Sequence, residues 1–489
     1  MKRREFLKTS AGVVAASISA SPLLAATKPH ERLNLLFITV DDMNWSLPGF
    51  MGNALGLTPN LDKLAAGSYR FVHTRTTAAI CQPSREAMMT GRVPHRSGAL
   101  GFTPVNEGTP TLVTALKQAG YFAAAIHKTE HMQPPSCFPW DKAVVGQGRA
   151  PSEYGAAVTD AIAAAREVKK PFFLNCNIND PHRPFYGSEE AAEVDHQEQG
   201  EYRVAREVSA ADVTVPAHLD PLANVKTEYA QYCNSAQRMD ISIGKVLAAL
   251  AATPEAANTI VFFSADHGMP FPFSKATVYD SGTRTPALLK LPKMRESKTF
   301  SERTSNVDYM PTLLDLLQVP HPEGMDGHSW APLLHGRKYA GSEFTVTHIN
   351  SVAFGANYPM RAIQDDRYSL VFMAWSDRKL EFHIESMKGL TWAAMKAASQ
   401  TDAALHARVD QFFYGIPLAF YDLQEDPGQR TNIVNAPQHA ARVSHMKEAL
   451  LNYMMATGDP QLENYRNFLA GNPMHVEQGK PLPGKPNNY

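Results

Sequence analysis

Side chains that could hold a metal ion follow two short apolar segments of this chain. Residues 33–40 and 259–264 are runs of apolar and β-branched residues, a composition typical of buried parallel strands. Each run leads directly into candidate metal ligands: Asp41, Asp42, Asp266 and His267. Neighbouring carboxylates repel each other unless a cation or hydrogen-bond donors neutralise them. Since ligands of open α/β sheets bind at the carboxyl ends of the strands, the pattern predicts a divalent-cation site there.

A cysteine lies in the most distinctive short segment of the chain. The segment reads Cys81-Gln82-Pro83-Ser84-Arg85 and is completed by Thr90-Gly91, a helix stop. A free cysteine is most often a buried structural residue that packs as a small apolar group. A thiolate also suits a hard cation poorly, because such cations prefer oxygen ligands. The residues alone therefore leave both a structural and a chemical role open for Cys81.

The segment beginning at Cys81 resembles the signature of sulfatases. In that family an activating enzyme oxidises the cysteine to formylglycine, and the hydrated aldehyde supplies one hydroxyl to attack sulfur and a second to release sulfate. The resemblance implies that a formylglycine-generating enzyme converts Cys81. It implies Ca²⁺ as the cofactor, with Mg²⁺ as the second choice. The implied metal ligands are Asp41, Asp42, Cys81 (as formylglycine), Asp266 and His267.

The resemblance assigns proton transfer to histidines. His182 follows a third apolar run, residues 172–178, and is the expected acid that protonates the leaving group. His131 is the expected base that helps to expel sulfate. The family commonly has Gly-Lys-x-His, whereas here the histidine stands three residues after Lys128. His127 is therefore the alternative to His131 at this position.

Further charged residues take roles from the same resemblance. Lys128 and Lys275 are expected to hold the sulfuryl oxygens as negative charge develops, and Arg85 to steady the nucleophile. The expected contacts to the substrate are Asp180, Arg183 and His348. The resemblance covers nearly the whole chain after residue 26. Further matching segments are 58–65, 282–286, 308–315, 326–329 and 420–427.

Three details favour the N-sulfoglucosamine sulfohydrolase (sulfamidase) branch of the family. They are the segments 180–183 and 268–272, and His348 followed by 358–361. The implied substrate is a sulfated saccharide carrying an O-sulfate ester or an N-sulfate. Branch membership does not choose between these two bonds.

Two other functions compete with a formylglycine sulfatase. One is a phosphoester or phosphonate hydrolase of the wider alkaline-phosphatase-like superfamily, although a Thr or Ser nucleophile would fit that activity better than Cys81. The other is a catalytically silent, secreted glycan-binding protein in which Cys81 is never oxidised. The oxidation state of residue 81 distinguishes the silent protein from the enzyme.

Composition and charge agree with a soluble export product. Of the 489 residues, 44% are hydrophobic and 19% charged, and the net charge of −1 gives no reason to expect a nucleic-acid partner. Residues 1–26 carry twin arginines before a short Ala- and Ser-rich apolar run, which predicts a twin-arginine export signal and a periplasmic or secreted protein. No later segment has 18 consecutive apolar residues, so we expect no membrane span.

The elements that must position these side chains predict an α/β fold. We expect a large, doubly wound, mixed but mainly parallel sheet flanked by helices, in a catalytic domain spanning 27–357. Residues 358–489 are expected to form a smaller α+β subdomain with an antiparallel sheet, opened by a hairpin of 362–364 and 368–372, and an extended tail. Predicted helices cover 111–119, 154–168 and 236–250. The stretch 183–225 is expected to be an exposed insertion near the site.

Overall fold

The computed structural model describes residues 32–146, 148–194, 202–294, 296–352 and 355–478. The described residues from Leu33 onward form one compact unit. The predicted export signal, residues 1–26, and nearly all of the predicted tail lie outside the described residues. Within the described part of the chain, no helix is both long and apolar enough to cross a membrane.

The large sheet has eight strands and is mixed, as predicted. Its strands are β1 (Asn34–Val40), β2 (Tyr69–Phe71), β4 (Phe122–Ile126), β5 (Lys142–Val144), β6 (Phe172–Ile178), β7 (Thr259–Ala265), β8 (Ala287–Lys290) and β9 (Lys298–Phe300). Their order is β5-β4-β6-β1-β7-β8-β2-β9. A separate two-stranded pair joins β3 (Thr74–Arg75) to β10 (Thr304–Ser305). The first five strands in this order, from β5 through β4, β6 and β1 to β7, are parallel to one another. Strand β8 runs antiparallel to both β7 and β2.

Strand β1 is the centre of this sheet. It pairs in parallel with β6 on one side and β7 on the other, so that Leu36 lies between Leu174 and Val261. All seven of its residues are buried, which explains why its sequence is continuously apolar rather than alternating. The three strands predicted from such runs are confirmed, and their carboxyl ends meet at one edge of the sheet.

Helices cover both faces of the sheet, which confirms the doubly wound architecture. The helices of this part are α1 (Pro59–Ala66), α2 (Cys81–Thr90), α3 (Pro94–Ser97), α4 (Leu112–Gln118), α5 (Pro151–Glu167), α6 (Glu189–Val194), α7 (Ala223–Ala251), α8 (Asp280–Thr283), α9 (Tyr309–Leu317) and α10 (Ala331–Leu334). Alternate residues of β1 face opposite sides: Leu36 packs with α1, α5 and α7, and Phe37 packs with α2, α4 and α9.

Helix α7 begins earlier than its sequence pattern predicted. The prediction covered 236–250, but the helix starts at Ala223, and Val225, Tyr229 and Tyr232 are buried along the same face. The predicted insertion 183–225 is likewise not uniformly exposed. Its described part buries several apolar side chains in the same core, among them Phe185, Val208, Val213 and Leu219. Val225, Tyr229 and Tyr232 have the i, i+4, i+7 spacing of one helix face, a signal that the predicted start at 236 left out.

A second, antiparallel sheet follows the first. Its strands, in spatial order, are β11 (Thr345–Ser351), β12 (Asn357–Gln364), β13 (Tyr368–Met373) and β14 (Leu418–Asp422). The helices that accompany it are α11 (Leu390–Ala398), α12 (Ala403–Tyr414), α13 (Ala440–Thr457) and α14 (Leu462–Leu469). The predicted hairpin is confirmed as β12 and β13. Strand β11 precedes the predicted boundary at 357/358, and this boundary falls at the first residue of β12, within one sheet.

The two faces of the second sheet have different neighbours. One face packs against α13 and α14 through Leu370 and Met446. The other, with Met360 and Trp375, packs against Phe273, in the loop that follows β7. This contact brings the C-terminal part of the chain to the edge of the large sheet where the candidate site lies.

Candidate active site

Cys81 is the first residue of α2 and lies beside the end of β1. Its thiol donates to Asp41 Oδ1 at 3.4 Å, and its Sγ is 3.2 Å from Nε2 of His267. All ten residues of α2 are buried, so the helix holds Cys81 firmly. Burial, and then the Asp41 carboxylate, raise the pKa of the Cys81 thiol well above its usual value. The thiol is therefore protonated at neutral pH and is a weak nucleophile.

Four predicted metal ligands converge at this point. One ligand atom from each of Asp41, Asp42, Cys81 and His267 lies within 4.8 Å of the others, and all four side chains are buried. Oδ1 of Asp42 is 3.4 Å from Nδ1 of His267 and has no hydrogen-bond partner among the described residues. A buried carboxylate oxygen without a donor is costly. The donor set, rich in oxygen with one imidazole, fits a divalent cation.

The acidity of Asp42 shows the same crowding. Burial raises its pKa most strongly, and the Asp41 and Asp266 carboxylates add to this, against the lowering effect of Lys275. By contrast, although burial opposes it, Lys128 and Arg85 together with more distant cations hold the pKa of Asp41 well below its usual range. The ionised form of Asp42 is therefore disfavoured in this buried site, and a bound metal ion would favour it.

Asp266 lies against this group but is turned toward hydrogen-bond donors. Its Oδ1 accepts from the backbone N–H groups of Asp42 and His267, and its Oδ2 accepts from Nε of Arg85 at 3.1 Å. Asp266 and Asp42 therefore share one site, although Asp266 is not among the four converging atoms. It is placed to orient the loops after β1 and β7 as well as to bind metal.

Arg85 ties the ends of three strands together beneath the site. Its guanidinium also contacts Asp41 at 3.3 Å and donates to Thr39 on β1 and Asn177 on β6. The residue is 1% exposed, so its charge is balanced by the buried carboxylates rather than by water. Asn177 was not predicted from the sequence to belong to the site, although an asparagine within an otherwise apolar strand was a visible signal.

Two buried lysines stand over the carboxylates. Nζ of Lys128 is 2.7 Å from Asp41 Oδ2, and Nζ of Lys275 is 3.0 Å from Asp42 Oδ2. Although burial opposes its charge, Asp42 raises the pKa of Lys275 well above its usual value. Both lysines also line an adjoining cavity, where their positive charge favours an anion.

The loop after β7 brings Lys275 into place through close backbone contacts. The N–H of Gly268 donates to the carbonyl of Gly282 at 2.8 Å, and the N–H of Lys275 donates to the carbonyl of Met269 at 3.1 Å. A Cβ atom on Gly268 would lie 1.9 Å from the carbonyl oxygen of Ser281. Only glycine permits this approach, which folds the loop back over the strand end.

The backbone around the cavity is strained at several non-glycine residues. Five of them adopt positive φ angles between 54° and 66°: Asp42, His127, Lys128, Phe273 and Ala276. Such conformations cost free energy and persist only where the surrounding structure enforces them. Their concentration in the loops that carry the predicted metal ligands and lysines indicates a functional site.

The structure distinguishes the two candidate histidines after β4. His131 lines the cavity together with Cys81, and its ring packs edge-on against Phe102. His127 instead packs against Tyr154 and accepts a long hydrogen bond from the N–H of Gly148. Burial, followed by Lys128, lowers the pKa of His131 well below its usual value. His131 is therefore the histidine positioned to accept a proton in the cavity.

His182 also lines the cavity, on the side of Asp42. Its Nδ1 lies 2.7 Å from the carbonyl of Arg183, which fixes a proton on Nδ1 and leaves Nε2 toward the site. Nε2 is 3.8 Å from Asp42 Oδ2 and 3.7 Å from Glu385 Oε1. Burial, and then Lys275, lower the pKa of His182 to about 3. An anion bound beside Lys275 would raise this pKa, because it cancels the neighbouring positive charge.

The cavity itself has a volume of about 260 Å³. Its floor contains Cys81 and the two lysines, and its outer wall comes from the C-terminal part of the chain, including Ile384 and Glu385. Glu385 opens a short 3-10 helix, Glu385–Lys388, and its Oε2 is 2.8 Å from Nζ of Lys275. Nothing in the sequence around Glu385 marked it as a site residue.

The contacts of two predicted substrate ligands do not fit that role. Both oxygens of Asp180 are held by arginines, with Arg238 Nε at 2.6 Å and Arg149 as a second partner. His348 is fully buried and does not line the cavity. Its ring nitrogens lie 3.2 Å from the Thr77 carbonyl and 3.1 Å from the Tyr453 hydroxyl. Asp180 therefore supports the loop that carries His182, and His348 belongs to a separate cluster.

Arg183 occupies an intermediate position. It lines the cavity, but its Nη2 is 2.7 Å from Glu228 on α7, and its guanidinium lies over the ring of Phe185 at 4.3 Å. Its charge is thus largely committed to these partners. A substrate contact remains open only to the part of the side chain that faces the cavity.

The fold and this arrangement of residues define a hydrolase of the sulfatase class. The sequence profile of the sulfatase family matches residues 33–319, and the chain belongs to that family of sulfuric ester hydrolases. A second profile, N-sulphoglucosamine sulphohydrolase, C-terminal, matches residues 266–384. The resemblance inferred from the sequence is confirmed at both levels.

Characterised relatives span most of the chain. An ulvan-active sulfatase from Formosa agariphila is 27% identical over 91% of this chain and 84% of its own length. The human N-sulphoglucosamine sulphohydrolase is 26% identical over 87% of this chain and 91% of its own length. The shared region therefore includes both sheets in each case.

Solved structures show the same fold. A 2-O GAG sulfatase superposes with a TM-score of 0.65 at 20% identity, covering 92% of this chain and 95% of the other. A protein in complex with its substrate D-glucosamine-2-N,6-O-disulfate has a TM-score of 0.65 at 19% identity, covering 88% and 99%. A phosphonate monoester hydrolase from Silicibacter pomeroyi has a TM-score of 0.62 at 19% identity, covering 88% and 97%. The fold is thus shared by sulfatases and phosphonate hydrolases.

Proposed function

We propose that this protein removes sulfate from a sulfated carbohydrate, using formylglycine made from Cys81 and a divalent cation, Ca²⁺ in preference to Mg²⁺. One observation carries the proposal: Cys81 lies on the floor of a cavity, within 3.4 Å of Asp41 and His267. Its low acidity makes the unmodified thiol a weak nucleophile, so that a hydroxyl from a hydrated aldehyde is the better candidate.

The cation would be held by Asp41, Asp42, residue 81 and His267, with Asp266 as the fifth candidate. When bound, it would polarise the sulfuryl group and favour the ionised nucleophile. Arg85 orients this set from below through its contacts with Asp41 and Asp266. Since Arg85 is shielded from the cavity, it is a positioning residue in this proposal.

The lysines bind the sulfuryl group in the proposed reaction. Both lysines line the cavity. Lys128 is paired with Asp41, and Lys275 is paired with Asp42. Negative charge on the sulfuryl oxygens grows between two fixed ammonium groups, which stabilises the transition state without reorganising water. This pair also favours sulfate esters and sulfamates over neutral substrates.

In the proposed reaction, the two histidines that line the cavity transfer the protons. Nε2 of His182 donates a proton to the departing oxygen or nitrogen once the bound anion has raised the pKa of the ring. His131, whose Nδ1 has no hydrogen-bond partner among the described residues, accepts the proton that must leave residue 81 before sulfate is expelled. Arg183 is the remaining proposed contact to the sugar.

The substrate class follows from the relatives. Proteins similar to this chain are named for ulvan, N-sulphoglucosamine and 2-O GAG substrates, and so a sulfated saccharide with an O- or N-sulfate is the proposed substrate. We place the enzyme in the periplasm or outside the cell because of the twin arginines at residues 3–4. A formylglycine-generating enzyme is the proposed partner in its maturation.

The test combines the mass of residue 81 with its activity. The protein is expressed with a formylglycine-generating enzyme, and the peptide containing residue 81 should be about 18 Da lighter than the thiol form, because CH₂–SH becomes CHO. Sulfate release from sulfated glucosamines should fall at least about a thousandfold in Cys81→Ala, with near-unchanged far-UV circular dichroism. Cys176→Ala, another buried cysteine, is the matched control and should keep its activity. Equal activity in Cys81→Ala, or turnover of phosphonate but not sulfate esters, would refute the proposal.

A further inference from the structure

The wall of the cavity contains a partly buried carboxylate, Glu385, that the proposed reaction does not use. Glu385 Oε2 is 2.8 Å from the ammonium group of Lys275, and its Oε1 is 3.7 Å from Nε2 of His182. Although burial opposes ionisation, Lys275 and then His182 hold the pKa of Glu385 well below its usual range. A carboxylate therefore stands 2.8 Å from the ammonium group that is proposed to bind sulfate.

The other charges of the cavity are arranged differently. Among the described lining residues, the carboxylates are Glu385 and Glu190. Glu190 is exposed, and so is the positively charged Lys388. The side chain of Glu385, by contrast, is only 29% exposed. Water screens charges at the rim far more than charges in the wall. Of these two carboxylates, Glu385 is therefore the one that water screens less and that lies beside a lysine proposed to bind sulfate.

We propose that Glu385 is a specificity-determining residue that disfavours a second anionic group next to the scissile sulfate. The preferred substrate then carries hydroxyl or amino groups at the neighbouring positions of the sugar. This inference rests on the proposed function, because it takes the sulfate to bind between Lys128 and Lys275.

The physical basis is a repulsion combined with a hydrogen-bond preference. A carboxylate accepts hydrogen bonds only, so it can bind an O–H or N–H group of the sugar. A second sulfate or a uronic carboxylate at that position would leave Glu385 facing a like charge in a partly desolvated wall. Built-in repulsion of this kind is an ordinary route to specificity. We expect it to weaken binding of the doubly charged sugar about tenfold.

The experiment compares two sugars that differ only at nitrogen, which carries an ammonium group in one and a negatively charged sulfate in the other. The probes are D-glucosamine 6-O-sulfate and D-glucosamine N,6-O-disulfate. The kcat/KM for sulfate release is measured with the matured wild-type enzyme, Glu385→Gln and Glu190→Gln. The dissociation constants of both probes are measured by calorimetry in the Cys81→Ala background of each form. Changes in the pKa of Lys275 or His182 affect both probes, and so they cancel in the ratio of the two.

The expected result is a change in preference rather than a general loss. In Glu385→Gln, the ratio of kcat/KM values and the ratio of dissociation constants for the two probes should both shift about tenfold toward the disulfate. Glu190→Gln removes the same charge from the exposed rim and should shift these ratios less than twofold. Ratios unchanged in Glu385→Gln, or changed equally in both variants, would overturn the inference. Failure of the proposed function has a different signature: the matured wild type then releases sulfate from neither probe, whereas the ratios of dissociation constants still decide the role of Glu385.

Discussion

Two buried clusters of this protein contain the same kinds of side chain but differ in their electrostatics. The first joins Asp41, Asp42, Cys81 and His267, and the second joins His95, His348 and Asp459. In the second, Arg361 contacts both oxygens of Asp459 at 2.7 Å. In the first, Oδ1 of Asp42 has no donor in the described part of the chain. A carboxylate that already holds a guanidinium has no need of a cation, and a cation would be repelled there.

The comparison shows that ligand type and spacing do not define a metal site by themselves. Arg361 supplies the balancing charge of the second cluster from within the fold, and His348 completes it with hydrogen bonds to Thr77 and Tyr453. The first cluster has an excess of carboxylate and strained backbone at Asp42. We therefore expect substitutions in the first cluster to change chemistry and substitutions in the second to change stability.

The largest expected effect comes from removing one charge in the first cluster. Asp42→Asn should reduce bound calcium and lower kcat/KM at least about a thousandfold, since the metal contributes several kcal/mol to the transition state. Metal content is measured by elemental analysis of the purified protein. Asp459→Asn, the same change in the second cluster, is the control and should keep its metal. Equal metal loss in both variants would contradict the distinction between the clusters.

The histidine next to the first cluster should show a dependence on the leaving group. His182→Ala removes the proposed acid, so that kcat/KM for a saccharide sulfate should fall by about 10²–10⁴. An activated aryl sulfate needs little protonation and should lose less than about tenfold. Steady-state kinetics on both substrates provide the measurement. A similar loss on both would show that His182 does not protonate the leaving group.

A substitution in the second cluster should lower the free energy of unfolding. Asp459→Asn leaves Arg361 buried without its partner, which should lower the free energy of unfolding by about 3–5 kcal/mol. Urea unfolding followed by fluorescence measures the change. The exposed pair Arg166–Glu255 offers a control, because Glu255→Gln should cost less than about 1 kcal/mol. Comparable losses in both variants would argue against a special role for the buried pair.

The buried Arg361–Asp459 pair also predicts how stability depends on pH. Although burial opposes it, Arg361 holds the pKa of Asp459 well below its usual range. A depressed carboxyl pKa contributes stability that is present above the unfolded value of about 3.9 and is lost as the pH falls through the folded value. The difference in the free energy of unfolding between wild type and Asp459→Asn, measured with urea, should therefore have its full size at pH 6 and be smaller near pH 3. A difference that grows on acidification would contradict this assignment.

The smallest effect is expected at His348, although the sequence pointed to it as a substrate ligand. His348→Gln keeps a polar side chain within reach of Tyr453, and the ring does not line the cavity. KM and kcat for sulfated glucosamines should both change less than about twofold, with a modest loss of stability. A tenfold rise in KM would restore His348 to the substrate site.

The sequence predicted the inner side of the site better than its outer wall. Residues that end buried strands, such as Asp41 and Asp266, could be placed because parallel strands bring their carboxyl ends to one edge. Cys81 could be placed because its flanking motif is specific to one family. These positions depend on local sequence and on one simple rule of sheet topology.

The remaining residues depend on contacts that no local pattern reveals. Asp180 was predicted to bind substrate, but its partners Arg149 and Arg238 are 31 and 58 residues away along the chain. Glu385 reaches the cavity only because the second sheet packs on the loop after β7. The orientation of His348 depends on which face of β11 meets α13. Each outcome is decided by long-range packing, which a single sequence does not display.

The position of β1 in the sheet has a consequence for the order in which the protein is built. This strand emerges early in synthesis, yet its two neighbours, β6 and β7, begin at Phe172 and Thr259. Pairing over such separations makes folding slow, because long loops must close before native contacts form. A nascent chain that stops before Thr259 has its first strand without one neighbour, and one that stops before Glu385 has an open cavity. Ribosome-stalled chains of increasing length should therefore gain protease resistance first and a complete substrate pocket last.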